Sequence, residues 1–290
     1  VQVAAGATLD FGGGSGTNTL AAGSTLTGAG TLTVSSGTLN VAGTDTLTGA
    51  RNFSGGSATF APTSGAITAT ALTVSGGTAT FDVGVTTPSL AISSGAGDFN
   101  AAGSLGALTL SGGSFGGSGL MTLNGTGTWS GGTFAGKLQV AAGQTLTVNS
   151  ATTKSFGAGT LTNDGTITWS AGDIDIVGNG SITNNGLFNI AGNLLIGDNS
   201  VGTGNIAFDN TASGILRRSA GAGTAYLGSS GGGTPDFVNL TSAGLIDVQT
   251  GTLRLNGIVA GSGTGSSSIT GTVQVAAGAT LDFGGGSGTN

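Results

Sequence analysis

Hydrophobic and polar residues alternate in short runs along this chain. In the segment GTLTVSSGTLNV, which begins at Gly30, Leu32 and Val34 alternate with threonines, and the alternation resumes at Leu39 after a Ser-Ser-Gly turn. A period of two residues is typical of a strand that buries one face. The pattern predicts strands of about five residues joined by turns of two or three. Because helical periodicity is absent and glycine is frequent, we expect an all-β fold.

The same patterns recur at fixed intervals. The eighteen residues VQVAAGATLDFGGGSGTN occupy positions 1–18 and again 273–290, and a looser copy, LQVAAGQTL, begins at Leu138. We therefore predict one repeat period over 1–272, with half-repeats over 1–137 and 138–272, and the start of the next tandem copy at 273–290. The segment at Gly30 likewise returns at Gly165, where Trp169 replaces Val34 and is predicted to point inward.

Asparagine follows a large apolar residue by two positions at four places, which puts both residues on the same side of a strand. The four are Asn163, Asn184, Asn210 and Asn239. Their intervals, roughly 20 to 30 residues, suit one turn of a coil with three strands per turn. Stacked turns would bring the amides about 4.8 Å apart, close enough for a hydrogen-bonded ladder. The alternative, that asparagine before glycine only marks a turn, stays open.

These observations predict a right-handed parallel β-helix, or β-solenoid, with about three short strands per rung. The right hand is the usual one for parallel crossovers. Neither end carries the charge, proline or covering helix that protects an exposed strand edge. We therefore expect an open-ended coil that continues into its neighbours.

The composition excludes several functions. Glycine fills 62 positions, six Lys and Arg accompany twelve Asp, and Cys, His and Glu are absent. Disulfides and thiolate metal sites are thus impossible, and the net charge of −6 argues against a nucleic-acid partner. No apolar run of about 18 residues exists, so we expect no membrane span in this fragment. With only 6% charged residues, the surface suits a chain held in a large assembly.

The residues offer little for catalysis. Without His, Cys or Glu, only aspartate remains for acid–base work, so we predict no enzyme, no catalytic residue, no cofactor and no metal site. Asp173 and Asp175 share the outward face of a strand and could bind a cation or form a polysaccharide-hydrolase pair, or they could simply be solvated. Arg217 and Arg218 could contact anionic glycans, or they could be solvated on a Gly-rich turn.

Two further motifs are candidate binding surfaces. Thr-x-Thr pairs could form an ice-binding face, but their unequal intervals do not predict one aligned array. The pairs are Thr25/Thr27, Thr31/Thr33, Thr46/Thr48, Thr78/Thr80, Thr145/Thr147 and Thr166/Thr168. Trp129, Trp169 and Tyr226 could stack on sugars, but the strand alternation places both tryptophans in the core.

Several segments resemble a known family. GTWSGGTF, VAAG-x-TL, LTNDGTITWSAGDI, ITNNGLFNIAG and LIDVQTGTLRL are together similar to repeats of large bacterial secreted and surface proteins. They look like the parallel β-helices of filamentous haemagglutinin-type and autotransporter-like adhesins, most clearly from Leu120 to Leu281. The resemblance implies a stalk, fibre or adhesive surface outside the cell, and it transfers no site residue.

We therefore expect a non-catalytic structural repeat of an extracellular bacterial fibre, filament or adhesin stalk, secreted or on the cell surface, as in a biofilm. Its expected partners are further copies of the repeat end to end, with lateral self-association, surfaces or glycans as additional ones. A glycan-binding or polysaccharide-active β-helix is the alternative, and an ice-binding solenoid is the third.

Overall fold

The fold is a β-solenoid, as predicted. The computed structural model describes residues 1–61, 66–197, 204–228, 237–257 and 266–284. Within these ranges the chain forms strands and turns but no helix, and strands of successive turns pair in parallel. Three sheets line the coil, so that one turn contains about three strands. The right-handed sense stays a prediction.

The chain divides into two compact units. The first contains Val1–Gly132 and Gly136–Leu138, and the second contains Thr133–Ala135 and Gln139–Asn290. The boundary falls close to the predicted junction of the half-repeats at 137–138. The repeat period over 1–272 and the next copy at 273–290 remain predictions, and positions 285–290 lie outside the described residues.

In the first unit we name the three sheets 1A, 1B and 1C. Sheet 1A contains Gln2–Val3, Thr25–Gly28, Thr44–Leu47, Ile67–Thr68 and Val85–Thr87. Sheet 1B contains Thr8–Phe11, Thr31–Val34, Arg51–Phe53, Leu72–Val74 and Leu90–Ile92. Sheet 1C contains Thr17–Leu20, Thr38–Val41, Ser57–Phe60, Thr78–Phe81, Ala96–Phe99 and Ser114–Gly116. Two longer strands, Gly103–Leu110 and Leu120–Trp129, run through sheet 1A into sheet 1B.

In the second unit we name the sheets 2A, 2B and 2C. Sheet 2A contains the end of Lys137–Val140, then Thr160–Asn163, Gly180–Asn184, Asn205–Asn210, Phe237–Ser242 and Ser267–Ile269. Sheet 2B contains Thr145–Val148, Thr166–Trp169, Leu187–Ile190, Ile215–Arg218, Leu245–Val248 and Thr272–Val275. Sheet 2C contains Thr133–Phe134, Lys154–Phe156, Ile174–Ile176, Leu195–Gly197, Thr224–Gly228, Thr252–Gly257 and Thr280–Phe283.

Glycine with positive φ makes the turn from sheet 1B to sheet 1C on successive rungs. Gly37, Gly56, Gly77, Gly95 and Gly113 adopt φ between 63° and 69° there. This left-handed conformation costs glycine little and other residues more. These tight turns of two or three Ser and Gly residues therefore keep each rung short. The rung that leads from Asp82 to Asn100 takes only 18 residues.

The alternation of the sequence becomes an alternation of burial. Leu32, Val34, Leu39 and Val41 are at most 2% exposed, while the threonines between them lie outside. Trp129 and Trp169, predicted to point inward, are also buried, at 2% and 0% exposure.

Aromatic rings stack in a column inside sheet 1C. The rings of Phe60 and Phe81 are 5.1 Å apart and nearly parallel, and those of Phe81 and Phe99 are 5.3 Å apart. The neighbouring inward column contains the small residues Ala58, Ala79 and Gly97 in the same strands. Small residues beside large ones leave room for the rings, so the core is packed column by column.

We expect Phe81→Ala to lower the free energy of unfolding by about 3–5 kcal/mol, because it removes the middle ring of this column and leaves a cavity. The matched control is Leu120→Ala, since Leu120 is 41% exposed and lies on the outer side of its strand, and that change should cost less than about 1 kcal/mol. Equilibrium urea unfolding measures both. Equal losses would contradict the column as a source of stability.

Candidate functional site

The most organised polar feature lies inside the second unit, at the ends of the sheet 2A strands. Asn163 Nδ2 donates to Asn184 Oδ1 at 2.7 Å, and Asn184 Nδ2 donates to Asn210 Oδ1 at 2.8 Å. Asn210 Nδ2 then donates to Ser242 Oγ at 3.0 Å. All four side chains are fully buried. We call this set the corner ladder.

Each amide of the corner ladder also binds the backbone of the rung above. The second Nδ2 proton of Asn163, Asn184 and Asn210 reaches a carbonyl that begins the next sheet 2B strand. These acceptors are the carbonyls of Leu187, Ile215 and Leu245, at 3.0, 3.1 and 3.2 Å. The ladder thus satisfies corner carbonyls that the strand pairing leaves over.

The ladder has defined ends. Asp164 N bonds Val140 O at 2.9 Å, which puts apolar Val140 beneath Asn163, and above Ser242 the register places Ile269. In the described part of the chain, Asn163 Oδ1 accordingly has no hydrogen-bond partner. The ladder therefore spans four rungs and stops where its neighbours become apolar.

The structure brings together three of the four predicted asparagines and leaves out Asn239. Asn239 is half-buried on the outer side of its strand, where its Oδ1 accepts from Ser266 N at 3.1 Å. The register pairs Asn210 with Ser242, so serine takes the fourth place. The prediction chose the wrong residue because Phe237, the apolar residue two positions before Asn239, itself lies on the outer side of this strand.

A glycine two residues further on would have identified the fourth member. Asn163, Asn184 and Ser242 precede Gly165, Gly186 and Gly244 by two positions. These glycines form a column without room for a side chain, because a Cβ at Gly186 would lie 2.1 Å from Gly165 O. Asn239 lacks this relation, and Asn210 departs from it, since its glycine in the column, Gly214, follows by four positions.

A second ladder runs along the outside of the same corner. Gln139 Nε2 donates to Asp164 Oδ2 at 2.5 Å, and Asn185 Nδ2 donates to Asp164 Oδ1 at 2.6 Å. Thr211 Oγ1 continues the series by donating to Asn185 Oδ1 at 2.9 Å. The corner is therefore bound on both its inner and outer sides.

Lys154 is a buried cation at the corner between sheets 2B and 2C. Its Nζ donates to the carbonyls of Ser150, Thr152 and Ala171 at 2.9, 2.8 and 3.1 Å. Burial lowers the pKa of Lys154, and the nearby Asp173 carboxylate opposes part of that shift. Like the corner ladder, this amine satisfies backbone carbonyls that face inward.

Arg217 and Arg218 do not lie together on a Gly-rich turn, which corrects the sequence-based picture. Both belong to the strand Ile215–Arg218 and point to opposite sides. Arg217 pairs outside with Asp247 at 2.8 Å. Arg218 is fully buried, and its Nη2 donates to Asn193 Oδ1 at 2.8 Å. Burial also lowers the pKa of Arg218. Because its side chain is fully buried, Arg218 is a core group and does not contact a glycan.

A third buried charge lies in the first unit. Arg51 and Asp45 form a bidentate pair at 2.7 and 2.9 Å with neither side chain exposed. Arg51 also donates to Leu47 O and lies 5.4 Å above the ring of Phe60. Removing either partner would leave a buried, unpaired charge.

The acidic pair proposed for a cation or for hydrolysis has ordinary contacts. Asp173 Oδ1 accepts from Leu195 N at 2.9 Å, and Asp175 lies on the outward side of its strand, partly covered. Across the described ranges, no three His, Cys, Asp or Glu side chains form a group that could hold a metal.

The candidate binding surfaces are dispersed. In the first unit the Thr-x-Thr pairs lie on three different sheets, with Thr25/Thr27 on 1A, Thr31/Thr33 on 1B and Thr78/Thr80 on 1C. Both buried tryptophans are out of reach of sugars. Tyr226 is half-buried beneath Arg254, whose guanidinium lies 5.8 Å from the ring and pairs with Asp282.

Comparisons of this chain with protein-family models, with curated proteins and with solved structures found no match. A search of the described ranges for a helix long and apolar enough to cross a membrane found none.

We expect Asn184→Leu to lower the free energy of unfolding by about 1–3 kcal/mol, because Asn210 Oδ1 and Ile215 O would be left buried without a donor. Asn239→Leu is the matched control, since that side chain lies outside the ladder. Urea unfolding should show a clearly larger loss of unfolding free energy for Asn184→Leu than for Asn239→Leu. A change at Asn239 as large as that at Asn184 would contradict the assignment.

We expect the stability contributed by Lys154 to depend on pH. Because its folded-state pKa lies below its ordinary 10.5, the unfolded chain binds more protons between the two values, and the free energy of unfolding should rise with pH across that window. Lys154→Met should remove this rise. Lys137→Met, at the chain's other, exposed lysine, should retain it, and identical pH profiles for both variants would contradict the prediction.

Proposed function

We propose that this chain is a non-catalytic structural repeat of an extracellular bacterial fibre, filament or adhesin stalk. Its rungs would stack end to end with those of further copies to form a stiff rod. The resemblance to filamentous haemagglutinin-type and autotransporter-like repeats supports the extracellular, bacterial setting. The mechanical element would be the backbone pairing between rungs, kept in register by columns such as the corner ladder.

One comparison between identical segments carries this proposal. Val3 and Val275 occupy the same place in the eighteen-residue repeat. Val3 is only 4% exposed, because the register places Gly28 of the next rung on it. Val275 pairs with Val248, which is fully buried. The repeated segment thus turns the same residue toward the interior at both places, as a continuous stack of rungs requires.

The last described strands continue the pairing of the rungs before them. Thr272–Val275 lies on Leu245–Val248, and Thr280–Phe283 lies on Thr252–Leu255. A strand edge with unpaired backbone groups is a template for another strand. A following copy would supply strands equivalent to Thr25–Gly28 and Thr31–Val34, which pair with this segment in the first copy.

The outer surface of the first unit fits a chain held among copies. Its outward charges in the described ranges are Asp10, Asp82, Asp98 and Lys137, and the remaining outward positions are mainly Thr, Ser, Asn and Gly. So few charges give little electrostatic repulsion between neighbouring rods. This low charge supports lateral self-association as a further contact, with surfaces or glycans as other partners.

A protein with two tandem periods should form a rod that is longer by one period and no wider in electron micrographs. Val273→Lys together with Val275→Lys should interrupt the rod at the seam, since charge would be buried between rungs. Gln274→Lys is the matched control, because Gln274 lies on the outer side of the same strand. Separate globular beads in the unmodified tandem protein would contradict the proposal.

A further inference from the structure

One aspartate of the eighteen-residue repeat has different polar partners at its two occurrences. The tetrapeptide TLDF stands at positions 8–11 and again at 280–283, so Asp10 and Asp282 are the same residue of the repeat. The strand of Asp10 pairs with the rung that follows it, and the strand of Asp282 pairs with the rung that precedes it. The two occurrences therefore display the two sides of one residue.

The preceding rung contributes an arginine. Arg254 is the Cα partner of Asp282 in sheet 2C. Its Nε donates to Asp282 Oδ2 at 2.7 Å, and its Nη2 lies 2.5 Å from the same oxygen. The guanidinium also lies 5.8 Å from the ring of Tyr226, the residue one rung earlier in the same column. The arginine is thus held between an aromatic ring and a carboxylate.

The following rung contributes a hydroxyl to the other oxygen. Ser35 Oγ donates to Asp10 Oδ1 at 2.9 Å. The glycine after the TLDF strand leaves room for this contact, because a Cβ at Gly12 would lie 2.3 Å from Ser35 Oγ. Since a carboxylate accepts through both of its oxygens, the aspartate of the repeat can bind the arginine through Oδ2 and the serine through Oδ1 at the same time.

The inward neighbours of the aspartate are also compatible on both sides. The leucine before it has a leucine on either side, and the phenylalanine after it has a leucine on one side and a valine on the other. The pairs are Leu253–Leu281 and Leu255–Phe283 with the preceding rung, and Leu9–Leu32 and Phe11–Val34 with the following one. All four partner side chains are fully buried. One strand can therefore satisfy both sets of contacts.

We infer that Asp282 joins consecutive copies by bridging Arg254 of its own copy and Ser35 of the next copy. This inference rests on the proposed end-to-end stacking, and the partner is a second copy of the same chain. Arg254 Nε, Arg254 Nη2 and Ser35 Oγ would all donate to one carboxylate between two rungs. Hydrogen bonds to an ionised carboxylate are stronger than those between neutral groups. We call this contact the seam bridge.

The looser copy of the segment at mid-period has no carboxylate at this place. In LQVAAGQTLTV, Thr147 stands where the full repeat has Asp10. Thr147 pairs with Thr168 of the following rung, so two uncharged side chains meet there. An aspartate at the end of the period and a threonine at its middle would favour the joining of whole periods over a join displaced by half a period. The seam bridge would thus fix the register in which copies meet.

A disulfide across the seam measures the stacking without altering the bridge. In a protein of two tandem periods, Gln274 would lie beside Thr27 of the second copy, because Gln2 and Thr27 are Cα partners. Paired strands are about 4.8 Å apart, within the range of about 4.4–6.8 Å that a disulfide spans. The chain has no cysteine of its own. We expect Gln274→Cys and Thr27→Cys of the second copy to form the disulfide, and its equilibrium with glutathione gives the effective concentration of the two thiols.

The seam bridge predicts how this effective concentration responds to substitution. Asp282→Val at the seam should lower it about tenfold, because Arg254 and Ser35 would lose a charged acceptor. Valine suits a strand, so the strand itself should be retained. Arg254→Met, and Ser35→Ala in the second copy, should each lower the effective concentration when the aspartate is present. Both should have little effect in the Asp282→Val background.

Asp209→Val is the matched control, since Asp209 is exposed on the outer side of its strand in sheet 2A. It should leave the effective concentration unchanged. If the disulfide forms but Ser35→Ala has the same effect with and without Asp282→Val, the seam bridge is overturned and the stacking stands. If the two cysteines do not cross-link in the two-period protein that keeps Asp282, the proposed stacking fails, and the seam bridge fails with it.

Discussion

Parallel backbone pairing between successive turns is the interaction on which the rest of this protein depends. It places each residue directly on its counterpart one turn earlier, at about the 4.8 Å spacing of strands. Side chains therefore meet like with like, as Thr145 meets Thr166 and Phe81 meets Phe99. Large and small inward side chains have to be balanced within each rung, because the same positions stack from turn to turn and a misfit would recur in every turn. Where Gly97 leaves space, Ile92 and Phe99 of the same turn fill it, since a Cβ there would lie 3.2 Å from Ile92 Cδ1 and 3.3 Å from Phe99 Cε2.

The corners are where this arrangement requires polar chemistry in the interior. At a corner the backbone no longer pairs as a strand with the adjacent rungs, and some carbonyls point toward the core. A buried acceptor without a hydrogen bond is costly there. The chain meets this need with buried donors of different kinds. The amides of the corner ladder serve one corner, and Lys154 Nζ and the indole of Trp169, which donates to Gly172 O at 2.7 Å, serve another.

The sequence predicted the fold class and most of the buried residues. This was possible because the alternation of apolar and polar residues along a strand directly shows which side chains point inward. Leu32, Val34 and both tryptophans lie where the pattern places them. It failed at Asn239 and at Arg218, where the deciding fact is the residue one turn away. A local pattern cannot predict that Ser242 stacks on Asn210, or that Arg218 lies against Asn193.

By itself the sequence determined the strands, their inward faces and the Ser-Ser-Gly turn before Thr38, since these follow from the conformational preferences and apolar surface of neighbouring residues. Only the tertiary structure decided on which sheet each strand falls. That position depends on how many strands the chain lays down before it, and turns here range from 18 residues to the 32 between Asn210 and Ser242. Strands with nearly the same sequence, such as Thr31–Val34 and Thr38–Val41, can thus lie in different sheets, 1B and 1C.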